Sequence, residues 1–138
     1  RGFSFVGPMM NLDRFVAGQF IRSRIANQSI MVNSPDTVRS YMHAADLVIW
    51  LLTILLRGKS CEPYNTGSDE LITLRGLASM VGQSVMYPTH PTETPPYYVP
   101  DTTKAQTELG LTVTIPLDDA LQRTVKYYGS NEGVHDLG

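Results

Sequence analysis

Apolar residues recur with helical spacing in several stretches of the chain and shrink to short runs between them. Over residues 11–26 they fall at Leu12, Phe15, Val16, Phe20, Ile21 and Ile25, which predicts a helix from about residue 15 to 26. Residues 47–56 read Leu-Val-Ile-Trp-Leu-Leu-Thr-Ile-Leu-Leu, between Asp46 and Arg57. This predicts a helix that Asp46 caps and Gly58 ends. Being apolar all round, it should lie buried between layers. It is too short to span a membrane, which takes about 20 residues. Thr73 can cap a third helix to about residue 83, with Leu74, Leu77, Ala78 and Val81 on one face. Gly76 inside it costs about 1 kcal/mol relative to Ala, so packing must hold that helix. Asp101 caps a short helix over 102–109, ended by Gly110. Pro116 opens a last helix to about residue 128, with a stripe of Leu117, Ala120, Leu121, Thr124, Val125 and Tyr128.

The short runs predict strands. Phe3, Phe5 and Val6 run into the Gly7-Pro8 turn. Residues 29–33 and 38–42 flank a Ser34-Pro-Asp-Thr37 turn and are expected to form a hairpin. Residues 61–65 read as a further strand. Residues 87–97 hold four prolines and no periodicity, so they read as an extended loop. Residues 129–138 form a polar tail, expected to fray. The pattern is one α/β domain over residues 1–128, mostly helical with short strands, and no internal repeat.

Composition narrows the function. At 138 residues, 42% hydrophobic and 17% charged, the chain has enough apolar material for one globular core. Its net charge of −2 excludes the basic face of a nucleic-acid binder. An anionic ligand must therefore be held by a few placed Arg or Lys residues. Cys61 is the sole cysteine, so no internal disulfide can form, which is compatible with a reducing cytoplasm. It reads as a small packed residue rather than a reactive thiol. His43, His90 and His135 are scattered without metal-ligand spacing. No glycine-rich dinucleotide loop, Walker loop or nucleophile elbow is present. Asp118-Asp119 complements the dipole of the last helix. The first residues already read as a strand, as if cut from a longer protein.

Four phrases in fixed order carry more: Arg1-Gly-Phe-Ser-Phe-Val-Gly-Pro8, Val38-Arg-Ser-Tyr-Met-His-Ala-Ala-Asp46, Tyr64-Asn-Thr-Gly-Ser-Asp69 and Tyr98-Val-Pro-Asp-Thr-Thr-Lys-Ala105. Together they resemble the C-terminal, substrate-binding part of an extended short-chain dehydrogenase/reductase, of the NAD-dependent nucleotide-sugar epimerase/dehydratase group. The dTDP-glucose 4,6-dehydratase type is the nearest pattern. The resemblance implies the C-terminal lobe of a Rossmann-type fold without its dinucleotide-binding half.

The resemblance also implies roles. Arg39, whose planar fork suits a diphosphate, would clamp the ligand's pyrophosphate. Ile30, Met31 and Val32 would pack against the base and ribose; from spacing alone they read equally as core. Gln19 and Phe20 would meet the substrate, with core an equal reading for Phe20. Ser4 stands where the pattern has an Asn near the phosphates or sugar, and its single hydroxyl reaches less far. Asn65 would lie near the nucleotide or simply tie down its turn. Tyr98 belongs to the same site, with Asp101 and Lys104 as cap and counter-charge. A second phosphate-binding Arg is usual just before that Tyr; here the residues are Pro95, Pro96 and Tyr97. Either affinity is weaker, the ligand is turned differently, or a base such as Arg22 or Arg75 substitutes.

In such enzymes NAD takes hydride from C4 of the sugar while a Tyr paired with a Lys four residues on removes the hydroxyl proton. That pair is absent from this sequence. The implied function is a substrate-binding fragment that binds a nucleoside diphosphate-sugar, holds no cofactor alone, is inactive alone, and belongs to carbohydrate and polysaccharide biosynthesis. It would form a homodimer or associate with a dinucleotide-binding half. The alternatives are a stand-alone nucleotide-binding or assembly module, and one part of a split enzyme.

Overall fold

The computed structural model describes residues 1–82, 84–88 and 97–130. The chain runs through β1 (Phe5–Val6), α1 (Val16–Ile25), β2 (Ile30–Met31), β3 (Val38–Arg39), β4 (Met42–His43) and α2 (Ala44–Arg57). It continues through β5 (Ile72–Thr73), α3 (Leu74–Val81), β6 (Val85–Met86), β7 (Tyr97–Tyr98), α4 (Thr103–Leu109) and α5 (Leu117–Ser130). The class is α/β, with helices dominating and short strands between them, as the sequence pattern predicts. The loop expected over residues 87–97 and the tail of 129–138 lie mostly outside the described residues. Gly129 and Ser130, assigned to the tail from sequence, continue α5.

Strand pairing departs from the sequence expectation. β2 and β3 do not form a hairpin. β2 pairs in parallel with β6, while β3 lies between antiparallel β5 and parallel β7. β1 pairs in parallel with β4. The Ser34-Pro-Asp-Thr37 turn does form, closed by Thr37 N donating to Ser34 O at 3.1 Å. It redirects the chain instead of folding it back. The strand expected over residues 61–65 is reduced to a parallel bridge between Gly2 and Thr66.

Helix ends follow local chemistry, with one exchange of roles. Thr73 Oγ1 accepts from Gly76 N at 3.1 Å and starts α3, and Gly82 closes it at a left-handed φ of 77°. Asp101 Oδ1 accepts from Thr103 N at 3.0 Å ahead of α4. Asp46 does not cap α2. His43 does so, its Nδ1 accepting from Ala45 N at 3.1 Å. Asp46 is buried one turn further on and accepts from Thr114 N, Thr114 Oγ1 and Ile115 N at 3.0, 2.5 and 2.9 Å. A carboxylate with three donors can be buried, and here it ties α2 to the segment entering α5.

Two cores result. The larger joins α1, α3 and α5 through Phe20, Ile21, Ile30, Val32, Leu77, Leu121 and their neighbours. The smaller gathers Met42, Trp50, Tyr64, Ala105, Leu109 and Leu111 between α2 and α4. Trp50 is fully buried and its Nε1 donates to Thr112 O at 3.1 Å. The expectation that α2 is buried all round fails: Leu55 and Leu56 are 78% and 80% exposed, and Val48, Ile49, Leu51 and Leu52 are about half exposed. Cys61 is exposed and takes a positive φ of 61°, contrary to a packed role.

Candidate functional site

The register of β3 against β7 sets Arg39 opposite Tyr98. The Arg39 guanidinium lies 5.8 Å from the centroid of the Tyr98 ring, and its Nη1 donates to Val38 O at 3.0 Å. Tyr98 in turn stacks on Phe3, centroid to centroid 4.7 Å. A half-buried cation is therefore held at the edge of an aromatic platform, an arrangement that stabilises the guanidinium.

These residues line a cavity of about 370 Å³ whose walls come from residues 2–5, residues 14–17, Arg39, Tyr41 and Tyr98. That volume lies in the range of small-molecule sites. One wall is the start of α1. Gly18 allows this placement: a Cβ there would meet the Leu12 backbone at 2.7 Å, so only glycine lets α1 lie so close to the preceding loop. The residue before α1, Phe15, makes no side-chain cap, and the first turn holds no acidic residue. Val16 and Ala17 line the cavity, so the positive end of the helix dipole faces it.

Tyr41 closes the floor. Burial pushes its phenol up to about 12, and the nearby Arg39 charge only partly opposes this. It remains protonated at neutral pH and offers a hydrogen-bond donor, not a base. Among the described residues no group of three His, Cys, Asp or Glu side chains could hold a metal ion.

Of the residues assigned from sequence, Ser4, Arg39 and Tyr98 meet in this cavity. The others lie elsewhere. Phe20, Ile30 and Val32 are in the larger core. Met31 is exposed beside its strand partner Met86. Gln19 is exposed and its Nε2 donates to Asp13 O at 2.9 Å. Asn65 ties down its loop, its Nδ2 donating to Asp101 O at 2.8 Å. Neither basic residue suggested as a second clamp lies in the lining. Arg22 pairs with Asp13 beside a second cavity of about 630 Å³ at the other end of α1, and Arg75 pairs with Asp36. Pro95 and Pro96 lie outside the described residues. Phe3, Arg14, Phe15 and Tyr41 are lining residues that sequence reasoning missed. Arg14 left one signal: a basic residue just ahead of a helix start opposes the usual acidic preference.

No protein-family model matches the chain. It is 25% identical over 136 residues to UDP-glucuronic acid decarboxylase 1 of Xenopus tropicalis, covering 93% of this chain and 32% of that protein. Its fold is similar to that of UDP-glucose 4-epimerase from Thermotoga maritima with UDP-glucose, at a TM-score of 0.82 and 21% identity, over 96% of this chain and 45% of that one. It is similar also to dTDP-glucose 4,6-dehydratase from Streptomyces venezuelae, a structure with NAD bound, at a TM-score of 0.81 and 23% identity, over 96% and 44%. The chain thus spans about a third of the length of the curated relatives it matches and under half of the solved structures. No helix among the described residues is long and apolar enough to cross a membrane. The chain has the fold of the C-terminal lobe of the extended short-chain dehydrogenases/reductases, and it resembles the NAD-dependent nucleotide-sugar epimerases and dehydratases built on that lobe.

Proposed function

We propose that this chain is the substrate-binding lobe of an NAD-dependent nucleotide-sugar epimerase or dehydratase and holds the nucleoside diphosphate-sugar in the Arg39 cavity. The observation that carries this reading is the meeting of Ser4, Arg39 and Tyr98, from three distant parts of the sequence, in one cleft with an aromatic platform. Phe3 and Tyr98 suit a stacked base or sugar face, and Arg39 suits a phosphate. The cavity supplies binding energy and orientation. The sequence holds no Tyr with a Lys four residues on, so on this reading hydride transfer and its base belong to a dinucleotide-binding half, and the chain alone does not turn over substrate.

That half is also the proposed cover for α2. Parallel strands are normally covered on both faces, and the parallel β1–β4 pair is flanked by a helix whose outer side is apolar. In isolation the same face should drive homodimer formation.

The test is a calorimetric and thermal-shift titration with UDP, dTDP, GDP, CDP and NAD, with Arg39→Ala alongside. One nucleoside diphosphate should bind and stabilise the chain, Arg39→Ala should remove this, and NAD should have no effect. Binding of NAD alone, or diphosphate binding indifferent to Arg39→Ala, would overturn the reading.

A further inference from the structure

We propose that the second cavity, at the far end of α1 from the Arg39 cavity, is a binding site in its own right and takes an uncharged, planar aromatic molecule. It measures about 630 Å³ and shares no lining residue with the Arg39 cavity. That volume lies in the range of small-molecule sites.

Three observations carry this. The first is a fixed frame. One wall is the loop over residues 9–13, and it is pinned to two helices. The Tyr128 hydroxyl of α5 donates to Met10 O at 2.6 Å. From α1, Gln19 Nε2 donates to Asp13 O at 2.9 Å and Arg22 Nη1 donates to Asp13 Oδ1. Asn11 Oδ1 ties the loop to itself by accepting from Asp13 N and Arg14 N at 3.0 and 2.9 Å. The space is therefore formed before anything enters it, which lowers the ordering cost of binding.

The second is the chemistry of the lining. The Tyr127 and Tyr128 rings meet edge to face, with centroids 5.0 Å apart at 90°, and both line the cavity beside Met9, Met10 and Ile25. Such a corner suits a flat ring, and methionine sulfur adapts its contacts to ring edges. The two charged lining residues, Asp13 and Arg22, are paired with each other at the exposed rim. The lining is thus electrically balanced, and an anion would have to draw Arg22 away from its carboxylate. The Arg39 cavity is the opposite case, lined by Arg14 and Arg39 with no acidic residue.

The third is Met9. Its side chain is 88% exposed at the cavity mouth, and its backbone holds a left-handed φ of 63°. That conformation is disfavoured for a residue with a Cβ and persists where its surroundings impose it, as ligand clamps do. Here the Tyr128 bond to the next carbonyl holds it in place. A ring bound against Tyr127 and Tyr128 would cover Met9 from the inside.

The experiment titrates the full chain at pH 7 with 2-naphthol, which is uncharged there, and with 2-naphthoate, its anionic counterpart, by calorimetry. The variants are Met9→Ala and Ala26→Trp; both positions are exposed, and the indole would occupy the cavity from its rim. Both variants should melt like the unmodified chain. 2-Naphthol should bind with a Kd on the order of 10–100 μM, at least about tenfold tighter than 2-naphthoate. Ala26→Trp should abolish binding, and Met9→Ala should weaken it about three- to tenfold. Saturating UDP and Arg39→Ala should leave it unchanged. Absence of 2-naphthol binding, or 2-naphthoate binding as tightly, would overturn the proposal. So would binding that survives both Ala26→Trp and Met9→Ala, because the ring would then lie elsewhere. If light scattering shows a dimer that Met9→Ala or 2-naphthol dissociates, a second copy of the chain fills the cavity and the proposal falls.

Discussion

Helices α2 and α5 are each 14 residues long, and the more apolar of the two is the less buried. In α5, Leu117, Ala120, Leu121, Thr124 and Tyr128 are buried against α1 and α3, and the other face is polar. In α2, Asp46 and Trp50 are buried, while Leu51, Leu52, Leu55 and Leu56 face outward. The cover available, not apolar content, decides burial. Helix α5 meets its apolar stripe with two other helices of this chain. Among the described residues, helix α2 finds its apolar cover on the side facing Met42, Tyr64, Ala105 and Leu109. The site lies with the self-sufficient side, since Val16 and Ala17 of α1 form its wall.

The sharpest way to break the contrast is to empty the buried aromatic position of α2. Trp50→Ala should cost about 3–5 kcal/mol, at least as much as Leu121→Ala in α5. Equilibrium urea unfolding of both variants measures this. A cost for Trp50→Ala below about 1 kcal/mol would mean that α2 contributes little to this fold. Next comes the polar tie between the regions. Asp46→Ala leaves the N–H groups of Thr114 and Ile115 without their acceptor and should cost about 3 kcal/mol. Asp46→Asn keeps the shape and should cost less.

A third test uses pH. Burial and then the Arg123 charge hold the His43 imidazole below its ordinary range, against the opposing pull of Asp46 and Asp119. Its Nδ1 caps α2 only when unprotonated. A depressed histidine lets the unfolded chain take up the proton first. Its contribution to stability is therefore full above the unfolded value near 6.5 and declines as pH falls toward the lowered folded value. Thermal melts from pH 7.5 to 5.5 should show this loss, and His43→Asn, which retains a cap acceptor, should flatten it. An unchanged slope in that variant would assign the loss to other groups. The smallest expected effect is on stability outside the fold's own packing. Leu55→Glu with Leu56→Glu should alter unfolding by no more than about 0.5 kcal/mol. It should nevertheless abolish self-association in size-exclusion chromatography with light scattering. Self-association that persists would move the interface elsewhere.

What could be read from the sequence divides along physical lines. The helices were legible because each carries its own signal: the stripe of α5, Thr73 at the start of α3, and Asp101 before α4. The strand partners were not. A two-residue strand such as β2 holds no periodicity that would distinguish a hairpin with β3 from a parallel pairing with β6. Tertiary competition settled that choice. The inversion at α2 was likewise hidden, because an apolar helix reads the same whether its cover lies within the described residues or beyond them. At the site, the resemblance led to Arg39, Ser4 and Tyr98. It did not lead to Arg14, which belongs to a loop placed by Asn11 and by the missing side chain of Gly18.

The pairing of β3 with β7 also bears on folding kinetics. Each strand pair in the described fold spans at least one intervening helix, and β3 and β7 span α2 and α3. Non-local pairings of this kind slow folding, because a long loop must close before any contact compensates for its lost entropy. A chain with this much helix would otherwise fold quickly. Arg39 and Tyr98 come together only when β7 docks, so the cavity should be among the last parts to form. In stopped-flow refolding, the burial of Trp50 should precede the recovery of ligand binding. Simultaneous recovery would mean that β7 docks with the cores.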